Sequence, residues 1–133
     1  MTGAAGPRDA YAVDVRRVDK PWGHELVWAL TEDYCGKILF VRAGESLSLQ
    51  YHRVKDESWF VLEGRAELEL GEVGSEALSR RVMKHGDAFR LRPGALHRIT
   101  ALEDTRVLEV STPELGDVVR LEDRYGRAGQ KVD

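Results

Sequence analysis

Two stretches of the chain carry polar side chains of the types that bind divalent metal ions. Gln50 and His52 are separated by one residue, Glu57 comes five positions after His52, and His97 follows a Pro-Gly pair later in the chain. Imidazole nitrogens combined with carboxylate and amide oxygens suit borderline ions such as Zn, Fe, Mn, Co and Ni. Because only Glu57 is anionic, a bound divalent ion would keep a net positive charge and could act as a Lewis acid.

These side chains can meet only if strands bring them together. In residues 46–52 apolar and polar residues alternate, with Gln50 and His52 on the polar side. Since alternate side chains of a strand point to opposite faces, this polar side either faces solvent or lines a cavity. Glu57 begins the next strand, which we expect to form a hairpin with the first, and His97 opens a later strand that could pair alongside. Matching polar residues on several strands favour the cavity.

The pattern along the chain is that of an antiparallel sandwich or barrel. Short runs rich in Val, Leu, Ile, Phe and Trp alternate with Gly, Pro, Asp and Glu. Helical periodicity is rare, with at most a short helix at residues 122–126. We expect strands at residues 25–29, 37–42, 46–52, 57–62, 66–70, 78–83, 87–91, 97–101, 106–111 and 117–121.

Length, charge and cysteine content restrict the class of protein. A chain of 133 residues can bury one hydrophobic core, and we expect a tail at 1–12, a barrel at 13–127 and a C-terminal tail at 128–133. The net charge of −3 disfavours nucleic acid as a partner. No apolar run is long enough for a signal peptide or a membrane span. Cys35 is the single cysteine, which fits a reducing cytoplasm.

The glycines and polar residues resemble the two motifs of the cupin superfamily, G-x5-H-x-H-x3,4-E-x6-G and G-x5-P-x-G-x2-H-x3-N. The corresponding segments are GESLSLQYHRVKDESWFVLEG and GDAFRLRPGALHRITA, with Gln50, Arg92 and Ala101 at the positions of the first His, the Pro and the Asn. The resemblance implies an all-β, single-domain jelly-roll barrel. It also implies one divalent ion, zinc in the first place with Mn, Fe, Co or Ni as alternatives, bound by Gln50, His52, Glu57 and His97.

A narrower resemblance covers residues 22–127. The segments DKPWG, GESLSLQYH, DESWFVLEG, LHRI and GDVVRLEDRYGR are similar to the metal-binding isomerase domain of type II mannose-6-phosphate isomerases. The nucleotidyltransferase half of those bifunctional proteins has no counterpart in this sequence, so nucleotide-sugar synthesis is not implied. Arg53, Val54 and Ser58 stand where that family has histidines.

The resemblance implies an aldose–ketose isomerase, which moves a proton between C1 and C2 through an enediol. Such an enzyme needs a base, a polarising cation and an anchor for phosphate. Lys37 and Glu109, charged residues within apolar strands, either face the cavity as proton carriers or face solvent. Trp59, on the strand face of Glu57, either forms a wall for a sugar ring or belongs to the core. Arg120 either contacts substrate or holds the C-terminal segment in a salt bridge.

Two other functions stay open at this point. A non-catalytic metal-containing cupin that binds a sugar or a small acid is favoured by the replaced histidines. An iron-dependent cupin oxygenase needs only two histidines and one carboxylate, but the neutral Gln50 and the isomerase-like ending disfavour it. We expect a small-molecule sugar phosphate as ligand, no nucleic acid or membrane partner, and a homodimer in which residues 11–18 add to a neighbour's sheet edge. The alternative for this segment is a strand that folds back on its own barrel.

Overall fold

The computed structural model describes residues 10–75 and 77–128, which form eleven strands and no helix. The all-β class predicted from the sequence is therefore confirmed, and none of these residues lies in a helix that could cross a membrane. The strands are β1 (Arg16–Lys20), β2 (Gly23–Leu30), β3 (Cys35–Val41), β4 (Leu49–Tyr51), β5 (Glu57–Glu63), β6 (Arg65–Glu72), β7 (Ser79–Lys84), β8 (Ala88–Leu91), β9 (Ala95–Ala101), β10 (Thr105–Ser111) and β11 (Val119–Glu122).

The strands form two antiparallel sheets that face each other in a jelly roll. One has six strands in the order β1-β2-β3-β10-β5-β8, and the other has five in the order β11-β4-β9-β6-β7. The short helix predicted at residues 122–126 is wrong. The Asp123 carboxylate accepts hydrogen bonds from the backbone N–H and the guanidinium of Arg127, which closes a turn instead.

The expected hairpin between residues 46–52 and the strand that begins at Glu57 is also wrong. β4 pairs with β11 and β9, whereas β5 pairs with β10 and β8 in the opposite sheet. The loop between them crosses the barrel, so Glu57 faces Gln50 of β4, and His52 just after it, across the interior and not along a shared sheet. The expected pairing of the His97 strand is present, since Gln50 lies opposite His97 in the β4–β9 register.

The N-terminal segment folds onto its own barrel. Residues Arg16–Lys20 pair with β2 at the edge of the six-stranded sheet, which is the alternative to donating a strand to a neighbour. Residues 11–15 are exposed and lie outside any strand. The predicted tails fall largely on residues 1–9 and 129–133, which lie outside the described residues.

The side chains that point into the barrel change in character from one end to the other. At the apolar end the side chains are fully buried and consist of hydrocarbon or, in Met83, a thioether. They are Val41, Val61, Leu68, Met83, Ile99 and Val107. At the charged end they are buried but ionisable: Lys37, His52, Lys55, Glu57, His97 and Glu109. Antiparallel register brings the ionisable residues together, because Glu109 on β10 lies opposite Lys37 on β3 and opposite Trp59 on β5.

Candidate metal centre

A cavity of about 490 Å³ opens at the charged end of the barrel. Its cationic lining residues are Arg16, Arg17, Lys20, Lys37, Lys55, Arg120 and Arg127, and its carboxylates are Asp19, Glu25, Glu57 and Glu109. Cations outnumber carboxylates along this wall, so the cavity attracts anionic ligands. Several of the residues singled out in the sequence thus lie on one surface: Lys37, Gln50, His52, Glu57, Trp59, Glu109 and Arg120.

His52, Glu57 and His97 form a compact buried cluster, of which His52 and Glu57 line this cavity and His97 lies behind them. Glu57 Oε2 lies 2.8 Å from His52 Nε2 and 3.6 Å from His97 Nε2. One ligand atom from each residue lies within 4.8 Å of the others. The three atoms are buried and have no hydrogen-bond partner among the described residues. Buried polar atoms without partners are costly, and a divalent cation would satisfy them together, so the cluster fits a metal ion.

Backbone carbonyl groups determine which nitrogen of each histidine is available. His52 Nδ1 lies 2.5 Å from the carbonyl oxygen of Asp117, and His97 Nδ1 lies 2.9 Å from that of Ala95. A carbonyl oxygen only accepts, so each Nδ1 carries the proton and each Nε2 presents a lone pair to Glu57. Two lone-pair atoms only 2.8 Å apart, as in His52 and Glu57, repel each other unless a cation or a proton lies between them.

The charges of the cluster are set by burial and by neighbouring groups. Burial alone would raise the pKa of Glu57, but the close contact with His52 and the positive charge of Lys55 lower it overall, so Glu57 is ionised. Burial lowers the pKa of His97 to about 4, although Glu57 opposes this shift. His97 is therefore neutral near pH 7, the form in which imidazole binds metal ions.

The loop that carries His52 and leads to Glu57 is anchored from outside. The Asp117 carboxylate accepts hydrogen bonds from the backbone N–H groups of Arg53, Val54 and Lys55 at 3.0, 2.7 and 2.8 Å. These bonds fold the loop over the end of the barrel, so that β4 and β5 enter opposite sheets. Asp117 was missed as a site residue in the sequence, where its only signal was its position in the family-like closing segment.

A turn before β9 holds the same loop from the other side. The backbone N–H of Gly94 donates to the carbonyl of His52 at 2.8 Å. Gly94 has φ of +87°, in the left-handed region that favours glycine. The turn therefore fixes the position of His52 relative to His97, which follows three residues after Gly94.

Trp59 is at once part of the core and a wall of the cavity. Its side chain is buried, and its Nε1–H donates to Glu57 Oε1 at 3.0 Å. The indole ring also meets the imidazole of His97 edge-on, with 5.4 Å between ring centroids. Trp59 therefore holds Glu57 by one oxygen and leaves Oε2 to the histidines.

Gln50 lies beside the cluster on β4. It is opposite His97 on one side and opposite Arg120 of β11 on the other, and side chains of directly opposed residues lie on the same face of a sheet. Its Oε1 accepts a hydrogen bond from Ser48 Oγ at 2.6 Å. Gln50 lines the cavity, and its role as a ligand stays a prediction.

A second group of charges lies next to the cluster. Lys55 Nζ forms ion pairs with Glu109 Oε2 at 3.0 Å and with Glu57 Oε1 at 3.9 Å. Lys37 pairs with Glu25 at 3.1 Å. Burial, followed by the negative charge of Glu57, raises the pKa of Glu109 to about 7. Sequence reasoning missed Lys55, although a signal was present: it lies two residues before Glu57, the spacing of residues that share a strand face.

Comparison with known proteins agrees with the resemblance of the motifs. A family model described as "Mannose-6-phosphate isomerase C-terminal" matches residues 8–123. Mannose-1-phosphate guanylyltransferase ManC of Salmonella typhimurium is 34% identical over 118 residues, which cover 84% of this chain and 23% of that protein. The chain therefore spans about a quarter of the length of this relative.

Solved structures share the fold. CapF, a capsular polysaccharide assembling protein of Staphylococcus aureus, superposes with a TM-score of 0.70 at 16% identity over 86% of this chain and 34% of its own. KdgF from Halomonas sp. superposes with a TM-score of 0.64 at 26% identity over 77% of this chain and 89% of its own. Together with the two antiparallel sheets, these likenesses confirm the predicted single-domain cupin-type jelly roll.

Proposed function

This chain belongs to the family of mannose-6-phosphate isomerase C-terminal domains, and on that basis we propose that it is a metal-dependent sugar-phosphate isomerase acting on mannose 6-phosphate or a related aldose. The observation that carries the proposal is the buried His52–Glu57–His97 cluster, two members of which line a cavity whose wall has an excess of cations. A site of this composition suits an anionic substrate that also bears oxygen atoms for a metal ion.

His52, Glu57 and His97, with Gln50 beside them, would hold one divalent ion, and we propose zinc. When bound, the ion supplies a Lewis acid that polarises the oxygen at the carbonyl end of the sugar. With a single carboxylate among these residues, a divalent ion would keep one net positive charge. Elemental analysis of protein purified without added metal tests this assignment, and a protein that takes up none of Zn, Mn, Fe, Co or Ni would contradict it.

The remaining residues of the cavity would handle the substrate. Glu109, buried beside the cluster, is in a position to take the proton from C2 of the aldose and to return it to C1, and Lys37, opposite it on β3, is the alternative carrier. Arg120 lies one strand away from Gln50 and would contact the anionic end of the substrate. Trp59 would form the wall against which the sugar ring lies, while its indole N–H keeps Glu57 oriented.

The test is isomerisation in deuterated water. We expect metal-loaded protein to interconvert mannose 6-phosphate and fructose 6-phosphate and to incorporate solvent deuterium at C1 or C2, and metal-depleted protein to do neither. Glu109→Gln should lower kcat by a factor of about 100 or more, because removal of a general base has effects of this size. Asp87→Asn changes a carboxylate outside the cavity and is the matched control. Absence of proton exchange with any metal and any sugar phosphate would end the isomerase proposal.

The same experiment separates the other two functions. Stabilisation by a sugar phosphate or small acid without turnover would indicate a binding module, and oxygen consumption with Fe(II) would indicate an oxygenase. The replaced histidines no longer favour the binding module, because their positions lie outside the cavity. Arg53 and Val54 are exposed and Ser58 lies on the outer side of β5, opposite to the face of Glu57. The replaced histidines therefore do not remove groups from the cavity.

We further propose a homodimer, a cytoplasmic location and a barrel that comprises residues 13–127. An exposed apolar group on the outer side of the six-stranded sheet, which includes Trp28, Phe60 and Val110, is consistent with a contact between copies. The single cysteine, Cys35, is buried and forms no disulfide, which is consistent with the cytoplasm. Light scattering at micromolar concentration tests the dimer, and limited proteolysis followed by mass spectrometry tests the boundaries.

A further inference from the structure

Two buried carboxylates lie next to each other at the charged end of the barrel, yet their surroundings differ. Glu57 directs Oε2 toward His52 Nε2 and His97 Nε2, at 2.8 and 3.6 Å. Glu109 does not belong to the group of potential ligands that the described residues form within 4.8 Å of one another. A divalent ion readily binds any carboxylate oxygen within its reach. Some feature of the site must therefore keep Glu109 out of the coordination shell.

Lys55 lies between the two carboxylates. Its ammonium group is 3.0 Å from Glu109 Oε2 and 3.9 Å from Glu57 Oε1, and its side chain is only 6% exposed. The backbone N–H of Lys55 donates to Asp117 at 2.8 Å, which fixes the point from which the side chain reaches into the barrel. The ammonium therefore bridges the oxygen of Glu57 that faces away from the histidines and the carboxylate of Glu109.

We propose that Lys55 is a positioning residue that keeps the two carboxylates in separate roles, with Glu57 as metal ligand and Glu109 held away from the metal and free to act on substrate. The part of this proposal that gives Glu109 its work on the substrate rests on the proposed isomerase function. The separation of the carboxylates does not depend on it.

The physical reason is the balance of charge in a buried site. Two carboxylates close together in a medium of low polarity repel each other strongly. The positive charge of Lys55 stabilises the Glu109 carboxylate in its position 3.0 Å from the ammonium group. Without that charge, the remaining lysine opposite Glu109 is Lys37, which is already paired with Glu25 at 3.1 Å. The metal ion is then the cation available to Glu109, and the carboxylate becomes an additional ligand. Glu109 can then no longer act as the base, although the protein still binds the metal ion.

Cobalt(II) provides a direct readout of the coordination shell, because its visible absorption weakens as the number of ligands increases. We expect Lys55→Met loaded with Co(II) to absorb more weakly than the wild type, and Lys55→Met combined with Glu109→Gln to regain the wild-type spectrum. Lys55→Arg, which keeps a cation between the carboxylates, should also retain it. In the isomerase assay Lys55→Met should lose about 100-fold or more in kcat with little change in KM, and Lys55→Arg should recover part of that loss.

Glu109→Gln by itself keeps the proposal testable if Lys55→Met does not fold. Since Glu109 is not a ligand in the wild type, its Co(II) spectrum should be unchanged in this variant. A changed spectrum in Glu109→Gln, or an unchanged one in folded Lys55→Met, would overturn the separation of roles. If the wild type isomerises no sugar phosphate, the proposed function fails, while the Co(II) spectra still decide what Lys55 does to Glu109.

Discussion

The two ends of the barrel interior are built on the same strands but obey different physical requirements. Following the inward side of β5, the chain passes from Glu57 through Trp59 to Val61, and β9 passes from His97 to Ile99. At the apolar end, burial of hydrocarbon stabilises the fold. At the charged end, burial of ionisable groups costs free energy unless each group is paired. The apolar end thus contributes the stability that allows the other end to hold a site of buried charges.

The largest effect is expected from removal of a ligand at the charged end. His97→Ala and His52→Ala should each weaken metal binding by a factor of 100 or more, roughly, because the remaining ligands cannot complete the shell. Competition with a chromogenic chelator measures the dissociation constant. His85→Ala changes an exposed histidine outside the cavity and should bind metal as the wild type does. Equal affinities of His97→Ala and His85→Ala would remove His97 from the site.

A substitution that leaves a cavity at the apolar end should lower stability but leave metal affinity unchanged. Leu68 is fully buried in the core cluster, so Leu68→Ala should lower the free energy of unfolding by about 2–5 kcal/mol. Metal affinity of the folded variant should stay close to that of the wild type. Urea denaturation measures the first quantity and chelator competition the second. Leu102→Ala, at a position that is half exposed, is the control and should change stability little.

Substitution of Asp117 shows how strongly metal affinity depends on the hydrogen bonds that hold the loop after β4. Asp117→Asn keeps the backbone carbonyl that contacts His52 but weakens the carboxylate's hydrogen bonds to the loop backbone. We expect metal affinity to fall by a factor of about 10, in the range measured for groups that orient ligands. Asp104→Asn is matched, because this exposed aspartate also accepts a backbone N–H, that of Ala43. A loss of affinity in Asp104→Asn as large as in Asp117→Asn would contradict a specific role of Asp117.

The smallest effect is expected from a charged pair on the outside of the barrel. Arg98 donates to Glu69 at 2.7 and 3.1 Å, and these hydrogen bonds lower the pKa of Glu69. Glu69 is only 5% exposed and would lose both hydrogen bonds in Arg98→Met, but it keeps Arg80 at 3.6 Å. Arg98→Met should therefore lower the free energy of unfolding by about 1 kcal/mol at pH 7. Because the folded pKa lies below the unfolded one, this stabilisation is present above about pH 4 and is lost as the pH falls through the folded value.

Denaturation of wild type and Arg98→Met at pH 7 and pH 3 measures this dependence. Arg80, which is 64% exposed and 3.6 Å from Glu69, provides a matched substitution that should cost less. A difference between wild type and Arg98→Met that grows as the pH falls would show that the pair does not act through the ionised Glu69.

The fold class and the cluster of two histidines and a carboxylate could be predicted from the sequence, since both rest on local patterns. Alternation of apolar and polar residues identifies strands, and each predicted strand has a counterpart, with β4 shorter than expected. The spacing of His52, Glu57 and His97 relative to the glycines carried the family resemblance. The sequence does not decide whether Lys37 and Glu109 face the cavity or the solvent, because an isolated charged residue in an apolar strand is compatible with either face.

What the sequence determined by itself is a chain of short antiparallel strands with one set of side chains of metal-binding types at recognisable spacing. Only the tertiary structure decided that β4 and β5 enter opposite sheets, that Asp117 anchors the loop between them, and that Lys55 lies between Glu57 and Glu109. The physical reason is distance along the chain. The contacts of Lys55 with Asp117 and Glu109 join residues more than fifty positions apart. β4 and β5 likewise pair with strands that come much later in the chain, and no local pattern records these partners.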